Sequence, residues 1–455
     1  MAQVKYYKLL LVYILFCWFN PVLSQQKVIS ENLSDNELLD RVQKDALVYF
    51  WEYAEPVSLM ARDQVCPDGI YPDHDGNVVV TGGTGFGLMT MLVGAERKFI
   101  DRKEVVDRIN HILDFLEKVE RNHGAWCHRI NAETGRSVIL DGAAPSEDLV
   151  ETSFLIQGLI CVREYFKEGP EEEKKLAERC DKIWREVDWN YFTKNEDVLY
   201  WWFPRENEFN FPLEGYNECL ITYVLAASSP TFPIDPDCFL KGWTRDGTFT
   251  TDKKVFGIPL LLKHNLAEET SGPLFWAHYS YLGLDPEGLS DSFVNYWDLN
   301  SNHAKINYLY CLENPNRYKG YSEKYWGLTA GYSRGGNGEL TYEAHQPNHD
   351  LGIICPTAAL SSFPYTPKES MKMLRFLYEE RPEFIGPAGP YDATSIHYND
   401  WFVPRYIAID QGTIAPMIEN YRTGLIWNLF MNAQEIRIGL TKLGFASKKH
   451  DLKSK

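Results

Sequence analysis

Two short stretches of this 455-residue chain place carboxylates at the start of a helical segment whose body is almost wholly apolar. Asp148 and Glu151 open the first segment, and Glu218 opens the second. An unpaired charge is costly to bury, so ionisable side chains at the mouth of an apolar helix usually face a functional cavity. The pattern therefore indicates acid–base chemistry. The alternative is that Asp148 and Glu218 are helix-start carboxylates that the helix dipole favours.

Helical spacing of apolar residues dominates the chain. It predicts nine helices, at 41–53, 85–98, 103–122, 149–166, 170–187, 218–228, 292–313, 367–379 and 416–443. Long aromatic, Gly- and Pro-rich connections join these segments, and such connections are usually functional. Strands do not alternate with helices at regular spacing, so a parallel sheet is not expected. The prediction is an all-α fold.

No linker or compositional break divides the chain after its first 24 residues. We therefore expect one large helical domain over residues 25–455. If paired helices close into an (α/α)6 toroid, the N-termini of one set of helices surround a common mouth. That arrangement would gather Asp148, Glu151 and Glu218 in one cleft.

Residues 1–24 have the layout of a cleavable secretory signal. Two lysines precede an apolar run over residues 9–19, and cleavage before Gln25 is expected. Cys17 lacks the small residues that normally precede a lipidated cysteine, which favours cleavage over a lipid anchor. No later run approaches the roughly 20 apolar residues that span a bilayer. We expect a periplasmic or secreted protein without stable membrane insertion.

The formal net charge is −17 at pH 7, which argues against nucleic acid or an anionic membrane as partner and suits a neutral ligand. The nine cysteines show no CxxC pair and no Cys/His pattern of a metal site. The glycine run 82–87 lacks the Lys-Ser/Thr pair of a phosphate-binding loop and predicts a tight turn at a helix entry. We expect neither a metal nor another cofactor, and we expect a monomer.

Aromatic residues supply a second indication of function. Trp201 and Trp202 lie shortly upstream of Glu218, and exposed indoles beside carboxylates are what a sugar-binding cleft requires. Trp276 and Tyr279 are further candidates to line such a cleft. Each of these side chains equally fits a packed core, so both interpretations stay open.

Six motifs in a fixed order connect the chain to a known family. They are found at 147–152, 214–218, 228–231, 326–330, 353–367, and 409–412 with 417–424. From about residue 40 to about residue 440, the chain resembles the bacterial glucoamylase-like family, glycoside hydrolase family 144. The resemblance implies an (α/α)6 fold and inverting hydrolysis of β-1,2-glucan, either as an endo-glucanase or by release of sophorose from chain ends.

The resemblance also implies roles for individual carboxyls. Glu218 is the expected general acid, and Asp148 and Glu151 are expected on the side of the general base. The family usually has an Asp four residues before Asp148, where this chain has Ala144; Asp141 fills that place if a few residues are inserted. Inversion needs one protonated carboxyl and one carboxylate that activates water, which agrees with this division.

Further residues are expected to bind substrate or to line the cleft. They are Arg62, Trp201, Trp202, Asn217, Trp276, Tyr279, Trp326, His345, Asp392 and Asp410. Glu419 is a candidate as well, but with Arg422 it fits better an internal ion pair that locks the last helix.

Other functions fit parts of the pattern. A polysaccharide lyase on the same toroid would need a basic cleft, which the acidity of the chain opposes. A non-catalytic glycan-binding protein needs the aromatics but not three convergent carboxylates. A phosphorylase or an α-glucan-active glucoamylase-like enzyme is a further alternative. The prediction is a glycoside hydrolase whose partner is a glucan or a gluco-oligosaccharide.

Overall fold

Helices make up most of the regular structure in the computed structural model, which describes residues 33–138, 147–203 and 211–452, without the side chains of 72–74. The α-helices in these ranges are α1 (Asp35–Trp51), α2 (Thr81–Glu96), α3 (Arg102–Leu116), α4 (Leu149–Phe166), α5 (Glu171–Arg185), α6 (Leu220–Ser228), α7 (Tyr296–Glu313), α8 (Pro356–Leu360), α9 (Pro367–Arg375), α10 (Ala408–Arg422), α11 (Leu425–Asn432) and α12 (Gln434–Lys442). The predicted secretory signal lies outside the described residues.

The strands are short and pair only in twos. The antiparallel pairs are β1 (Gln64–Val65) with β15 (Tyr406–Ile407), β2 (Val78–Val80) with β3 (Arg129–Asn131), β4 (Glu147–Asp148) with β5 (Trp202–Phe203), β6 (Thr250–Val255) with β7 (Ile258–Leu262), β8 (Leu289–Ser290) with β16 (Ala446–Ser447), β9 (Ala330–Arg334) with β10 (Leu340–Ala344), β11 (Ile385–Gly386) with β12 (Gly389–Pro390), and β13 (Thr394–Ser395) with β14 (Trp401–Phe402). Within the described ranges the fold is thus mainly helical, with small hairpins and clips and no parallel sheet.

Short helical turns of other types complete the regular structure. The 3-10 turns are Pro72–Asn77, Trp189–Thr193, Arg245–Gly247, Leu274–Ala277 and Pro382–Phe384, and the π-helical turns are Cys238–Trp243 and Phe376–Glu380.

The predicted helices agree with the structure best where the segment is most apolar. α4 begins and ends at the residues that its apolar spacing predicts. α6 begins at Leu220, so Glu218 lies in the turn before the helix. The single helix predicted over 416–443 is wrong, because α10 begins earlier and Gly424, with a φ of 73°, separates it from α11. A residue in the left-handed region ends an α-helix.

The glycine run 82–87 lies inside α2 and not in a turn before it, contrary to the expectation. The reason is the close packing of α2 against α4. A Cβ atom on Gly85 would overlap the carbonyl oxygen of Phe154, and one on Gly158 would overlap the backbone of Gly85. Only glycine lets the two backbones approach this closely.

The core is built from helices that are buried on every face. All residues of α2 from Thr81 to Ala95 are buried, as are those of α4 from Leu149 to Arg163. α2 packs against α4 and α10, and α4 packs against α6. A helix that is apolar all round belongs in the interior of a protein. None of the helices in the described ranges combines the length and the apolar character that crossing a bilayer requires.

Glu419 forms a buried ion pair in α10, as predicted, but its partner is Arg97 and not Arg422. Arg97 donates to both carboxylate oxygens, at 2.7 and 2.9 Å, and Gln43 adds a bond at 3.0 Å. Arg422 pairs with Asp40 instead. Burial alone would raise the pKa of Glu419, but these hydrogen bonds outweigh burial and hold the pKa below its usual value.

Glu419→Gln should lower the free energy of unfolding by about 1.5–3 kcal/mol, because hydrogen bonds to a charged group are lost. A carboxyl whose pKa is lowered on folding stabilises the protein above its ordinary pKa, and this contribution fades as the pH falls through the lowered value. Thermal unfolding should therefore show a larger deficit near pH 7 than near pH 4.

The exposed ion pair between Lys103 and Asp107 supplies the control for this variant. Asp107→Asn should change stability by less than about 1 kcal/mol. Equal losses for the two variants at neutral pH would contradict the structural role of Glu419.

Candidate active site

Glu151, in the first turn of α4, is held by the N-terminus of α2. Its Oε2 accepts a hydrogen bond of 2.9 Å from the backbone N–H of Gly82. The first N–H groups of a helix have no partner within the helix, and its dipole favours negative charge there. Burial nevertheless prevails and raises the pKa of Glu151 to about 7.

Asp148 is the N-cap of α4, and donors occupy both of its oxygens. Oδ1 accepts from the Glu151 N–H at 2.9 Å, and Oδ2 accepts from the indole N–H groups of Trp201 and Trp202 at 3.1 and 3.3 Å. The pairing of β4 with β5 places Trp202 directly opposite Asp148. Burial and then the charge of Glu151 raise the pKa of Asp148 to about 6.

Glu218 lies in the turn that leads into α6. Ser280 fixes this turn: its hydroxyl donates to the Glu218 carbonyl oxygen and accepts from the Ile221 N–H at 3.0 Å. The side chain of Glu218 keeps part of its surface exposed. The surrounding protein raises the pKa of Glu218 to about 7, and the charges of Glu151 and Asp148 act in the same direction.

The structure thus brings Asp148, Glu151 and Glu218 into one electrostatic group, as the helix-mouth pattern predicts. The hydroxyls of Ser153 and Thr222, 2.8 Å apart, join α4 to α6 below this group. Carboxyls with pKa values between about 6 and 7 can both give and accept a proton near neutral pH. The group therefore suits general acid–base chemistry. Asp141 lies outside the described residues.

A second pair of carboxyls, Asp392 and Asp410, is buried near the first group. The charge of Asp392 adds to the rise that burial causes in the pKa of Asp410. Asp392 Oδ2 accepts from the Tyr332 N–H at 2.7 Å, and Asp410 Oδ1 accepts from the Tyr279 hydroxyl at 2.9 Å. Burial raises the pKa of both carboxyls. Asp410 therefore fixes the Tyr279 hydroxyl.

Tyr279 connects the two groups of carboxyls. Its ring packs against Phe86 of α2 and Phe154 of α4, with centroids 5.3 and 5.6 Å away. The charges of Asp410 and Glu218 both add to the rise that burial causes in the pKa of its hydroxyl. Tyr279 is therefore a buried residue that separates the two groups of carboxyls.

Four other predicted residues are partly exposed. Arg62 is partly exposed and donates to the Tyr53 carbonyl oxygen at 3.1 Å. Trp276 is partly exposed beside the buried ring of His264. Trp201 and Trp202 are also partly exposed, but their indole N–H groups are used to hold Asp148.

Three predicted residues are buried. Trp326 is wholly buried and donates to the Glu369 carbonyl oxygen at 3.4 Å, and its place at the cleft stays a prediction. His345 is wholly buried too, and burial lowers its pKa to about 4. The Asn217 side chain is occupied in its own turn, where it accepts from the Cys219 N–H at 3.0 Å.

Sequence reasoning missed two side chains of the site. His128 lies 3.8 Å from Asp148 and 3.9 Å from Glu151, and no periodicity in the sequence marks it. Tyr342 on β10 is 53% exposed, yet the surrounding protein and the charges of Asp410 and Asp392 raise the pKa of its hydroxyl. The alternation over 340–344 puts Leu340, Tyr342 and Ala344 on one face, but it predicts that this apolar face is buried. The sequence therefore carries no local signal that Tyr342 faces outward.

No group of three or more His, Cys, Asp or Glu side chains in the described ranges could hold a metal ion. The expectation of a metal-free reaction stays a prediction.

Comparison with known proteins gives consistent similarities. The family model "Glycoamylase: Putative glucoamylase" matches residues 210–434. An exo β-1,2-glucooligosaccharide sophorohydrolase (non-reducing end) from Parabacteroides distasonis is 39% identical over 436 residues, which are 90% of this chain. The chain spans 58% of the length of that curated relative.

Solved structures extend the similarity to the fold. An endo-β-1,2-glucanase from Chitinophaga pinensis, in complex with sophorotriose and glucose, is 48% identical with a TM-score of 0.88; the match covers 91% of this chain and 99% of that one. An endo-β-1,2-glucanase from Talaromyces funiculosus, in complex with sophorose, shares the fold at 11% identity and a TM-score of 0.63, over 90% of each chain.

Gly82→Ala tests the contact that holds Glu151. A Cβ atom there would overlap the Glu151 carboxylate and lie 3.0 Å from the Phe154 ring. Overpacking of this kind costs about 1–3 kcal/mol, so the midpoint of urea unfolding should fall. Gly336→Ala is the control, because a Cβ atom at Gly336 meets nothing within 4 Å. An unchanged midpoint for Gly82→Ala would contradict the close packing of α2 on α4.

Proposed function

Because this chain belongs to the glucoamylase-like family, glycoside hydrolase family 144, we propose that it is a glycoside hydrolase that cleaves β-1,2-glucan or its oligosaccharides. The observation that carries the proposal is the group formed by Asp148, Glu151 and Glu218. It unites three carboxyls with raised pKa values, two at the start of α4 and one in the turn before α6. Glycoside hydrolysis needs such a pair of acid and base.

Glu218 is the general acid in this proposal. Its pKa of about 7 keeps a proton on a substantial fraction of the molecules at neutral pH, and its side chain is partly open to solvent. Among the described residues no side chain hydrogen-bonds its carboxyl, so the carboxyl is available to a glycosidic oxygen. The proton passes from Glu218 to the leaving oxygen as the glycosidic bond breaks.

Glu151 is the better candidate for the general base. Both oxygens of Asp148 accept N–H bonds already, whereas Glu151 has only Oε2 engaged, by Gly82. Its Oε1 accepts no hydrogen bond from the described residues and can take the proton of an attacking water. Asp148 then orients Glu151 through the backbone N–H that it binds. Asp141 keeps its predicted place on the base side.

The sugar contacts are proposed from the same geometry. Tyr342 exposes its ring beside Asp392 and Asp410, and an aromatic face beside polar groups suits a glucosyl ring. The partly exposed edges of Trp201 and Trp202 provide a second apolar surface next to Asp148.

The helix order supports an (α/α)6 toroid. α2 packs against α4 and α10, α4 packs against α6, and α10 packs against α8, so these helices are neighbours in an inner series. α1, α3, α5 and α9 pack on the members of that series and alternate with them along the chain.

The relatives leave two modes of action for this chain. One relative is named an exo-acting sophorohydrolase and another an endo-glucanase. We include both modes in the proposal, and the lengths of the products distinguish them. We also propose that the chain is exported after cleavage of its first 24 residues.

Wild-type protein should release products from linear β-1,2-glucan and leave laminarin, cellulose oligomers and starch intact. Glu218→Gln keeps the shape of the side chain but removes the transferable proton, so turnover should fall about 10²–10⁴-fold. Chromatography of the products measures both outcomes. Glu313→Gln, on an exposed position at the end of α7, is the control with unchanged turnover. Near wild-type hydrolysis by Glu218→Gln would refute the assignment.

The stereochemistry of the product tests the inverting mechanism. An inverting enzyme holds its acid and base roughly 6.5–9.5 Å apart to admit water, whereas a retaining enzyme holds its two carboxyls only about 5–5.5 Å apart. Glu218 and the carboxylates of α4 lie on different elements, and we expect the α-anomer from a β-linkage. NMR of the reducing end, recorded before mutarotation, decides the matter, and a β-anomer formed first would reject inversion.

A further inference from the structure

His128 stands between the two carboxylates of α4. One ring nitrogen, Nδ1, lies 3.8 Å from Asp148 Oδ2, and the other, Nε2, lies 3.9 Å from Glu151 Oε1. The side chain is 37% exposed, so one edge of the ring reaches solvent. A single imidazole therefore faces both candidates for the base side of the reaction.

The backbone of His128 is anchored to the same helix end that binds Glu151. Its carbonyl oxygen accepts from the Thr81 N–H at 3.1 Å, and the Thr81 hydroxyl donates to the Cys127 carbonyl oxygen at 2.7 Å. Thr81 precedes Gly82, whose N–H holds Glu151. A short shift of the imidazole would turn either 3.8–3.9 Å separation into a direct hydrogen bond of about 2.7–3.2 Å.

The remaining charged groups that face His128 are Asp63 and Arg129. They pair with each other at 2.7 Å and largely cancel. Desolvation lowers the pKa of His128, while the charges of Asp148 and Asp63 raise it. The ring is therefore mostly neutral at pH 7 and carries one N–H and one lone pair.

We propose that His128 is a positioning residue of the proposed hydrolase, which donates its N–H to Asp148 and takes up, through its other nitrogen, the proton that Glu151 removes from water. This inference rests on the proposed function. In the step itself the water oxygen bonds to the anomeric carbon, its proton goes to Glu151, and Glu218 protonates the departing oxygen. The proton then moves from Glu151 to Nε2 of the imidazole and from this nitrogen to solvent water, which resets Glu151. Glu218 regains its proton from solvent, so both groups are ready for the next turnover.

Two variants of His128 and one control variant test the role. His128→Asn retains an N–H at the position of Nδ1, which faces Asp148, but cannot take up a proton, and His128→Ala retains neither function. We expect kcat to fall about 10–100-fold in both, with KM changed by less than about 3-fold, because misplaced reacting groups affect the chemical step more than binding. His123→Ala is the control: His123 faces Asp188 at 3.3 Å with 36% of its side chain exposed, but stacks on Tyr191 away from this group.

The pH profile separates this role from a merely structural one. The positive form of His128 lowers the pKa of Asp148. Asp148 orients Glu151 as a carboxylate that accepts the Glu151 N–H, so its ionisation contributes to the acidic limb of the kcat/KM profile. Removal of His128 raises the pKa of Asp148, and the limb should move to higher pH in both His128 variants. Free imidazole should restore part of the lost turnover to His128→Ala, because it can accept the proton from Glu151, and should leave His123→Ala unaffected.

The outcomes distinguish the two proposals. If wild-type protein cleaves β-1,2-glucan and both His128 variants keep its kcat and its acidic limb, the role of His128 is refuted and the hydrolase proposal stands. A loss of turnover that is uniform over pH and unresponsive to imidazole also refutes it, as a purely structural effect. If wild-type protein cleaves no glucan, both proposals fall.

Discussion

The close packing of α2 on α4 is the constraint on which the site depends. Glycines at 85 and 158 bring the two backbones together, and Gly82 leaves room for the Glu151 carboxylate at the end of α2. The N–H groups of the first turn of a helix are otherwise without partners. Here the Gly82 N–H binds a carboxylate of the neighbouring helix, while the Thr81 N–H binds the carbonyl oxygen of His128. One helix end therefore sets the positions of two functional side chains.

The protein treats buried carboxyls in two opposite ways. Glu419 forms a hydrogen-bonded ion pair with Arg97, and its pKa is lowered below the usual value. Asp148 and Glu151 receive N–H donors and a histidine at longer range, and burial raises their pKa values to about 6 and 7. A full positive charge at hydrogen-bond distance would stabilise the carboxylate and take away its use as an acid or a base. The choice of partner thus separates a carboxyl that stabilises the fold from one suited to proton transfer.

The aromatic residues divide in a similar way. Trp201 and Trp202 use their polar edges to orient Asp148, and Tyr279 uses its hydroxyl to bind Asp410. Tyr342 stands out because more than half of its surface is free. An indole or phenol can be a hydrogen-bond donor and an apolar surface at once, so the role of each ring follows from which part the fold occupies.

The sequence by itself determined the elements whose signal is local. The apolar run of α4 predicted both ends of that helix. The carboxylates at the start of α4 and before α6 were predicted as one group, because a charge beside an apolar helix indicates a functional site. Tertiary structure alone decided the rest. The glycine run became part of α2 because α4 needs its backbone close by, and Trp326 became a core residue because of what packs around it. Glu419 pairs with Arg97 and not with Arg422, and His128 lies beside the start of α4. Both contacts join residues that are far apart in the chain, and local spacing in the sequence does not encode such contacts.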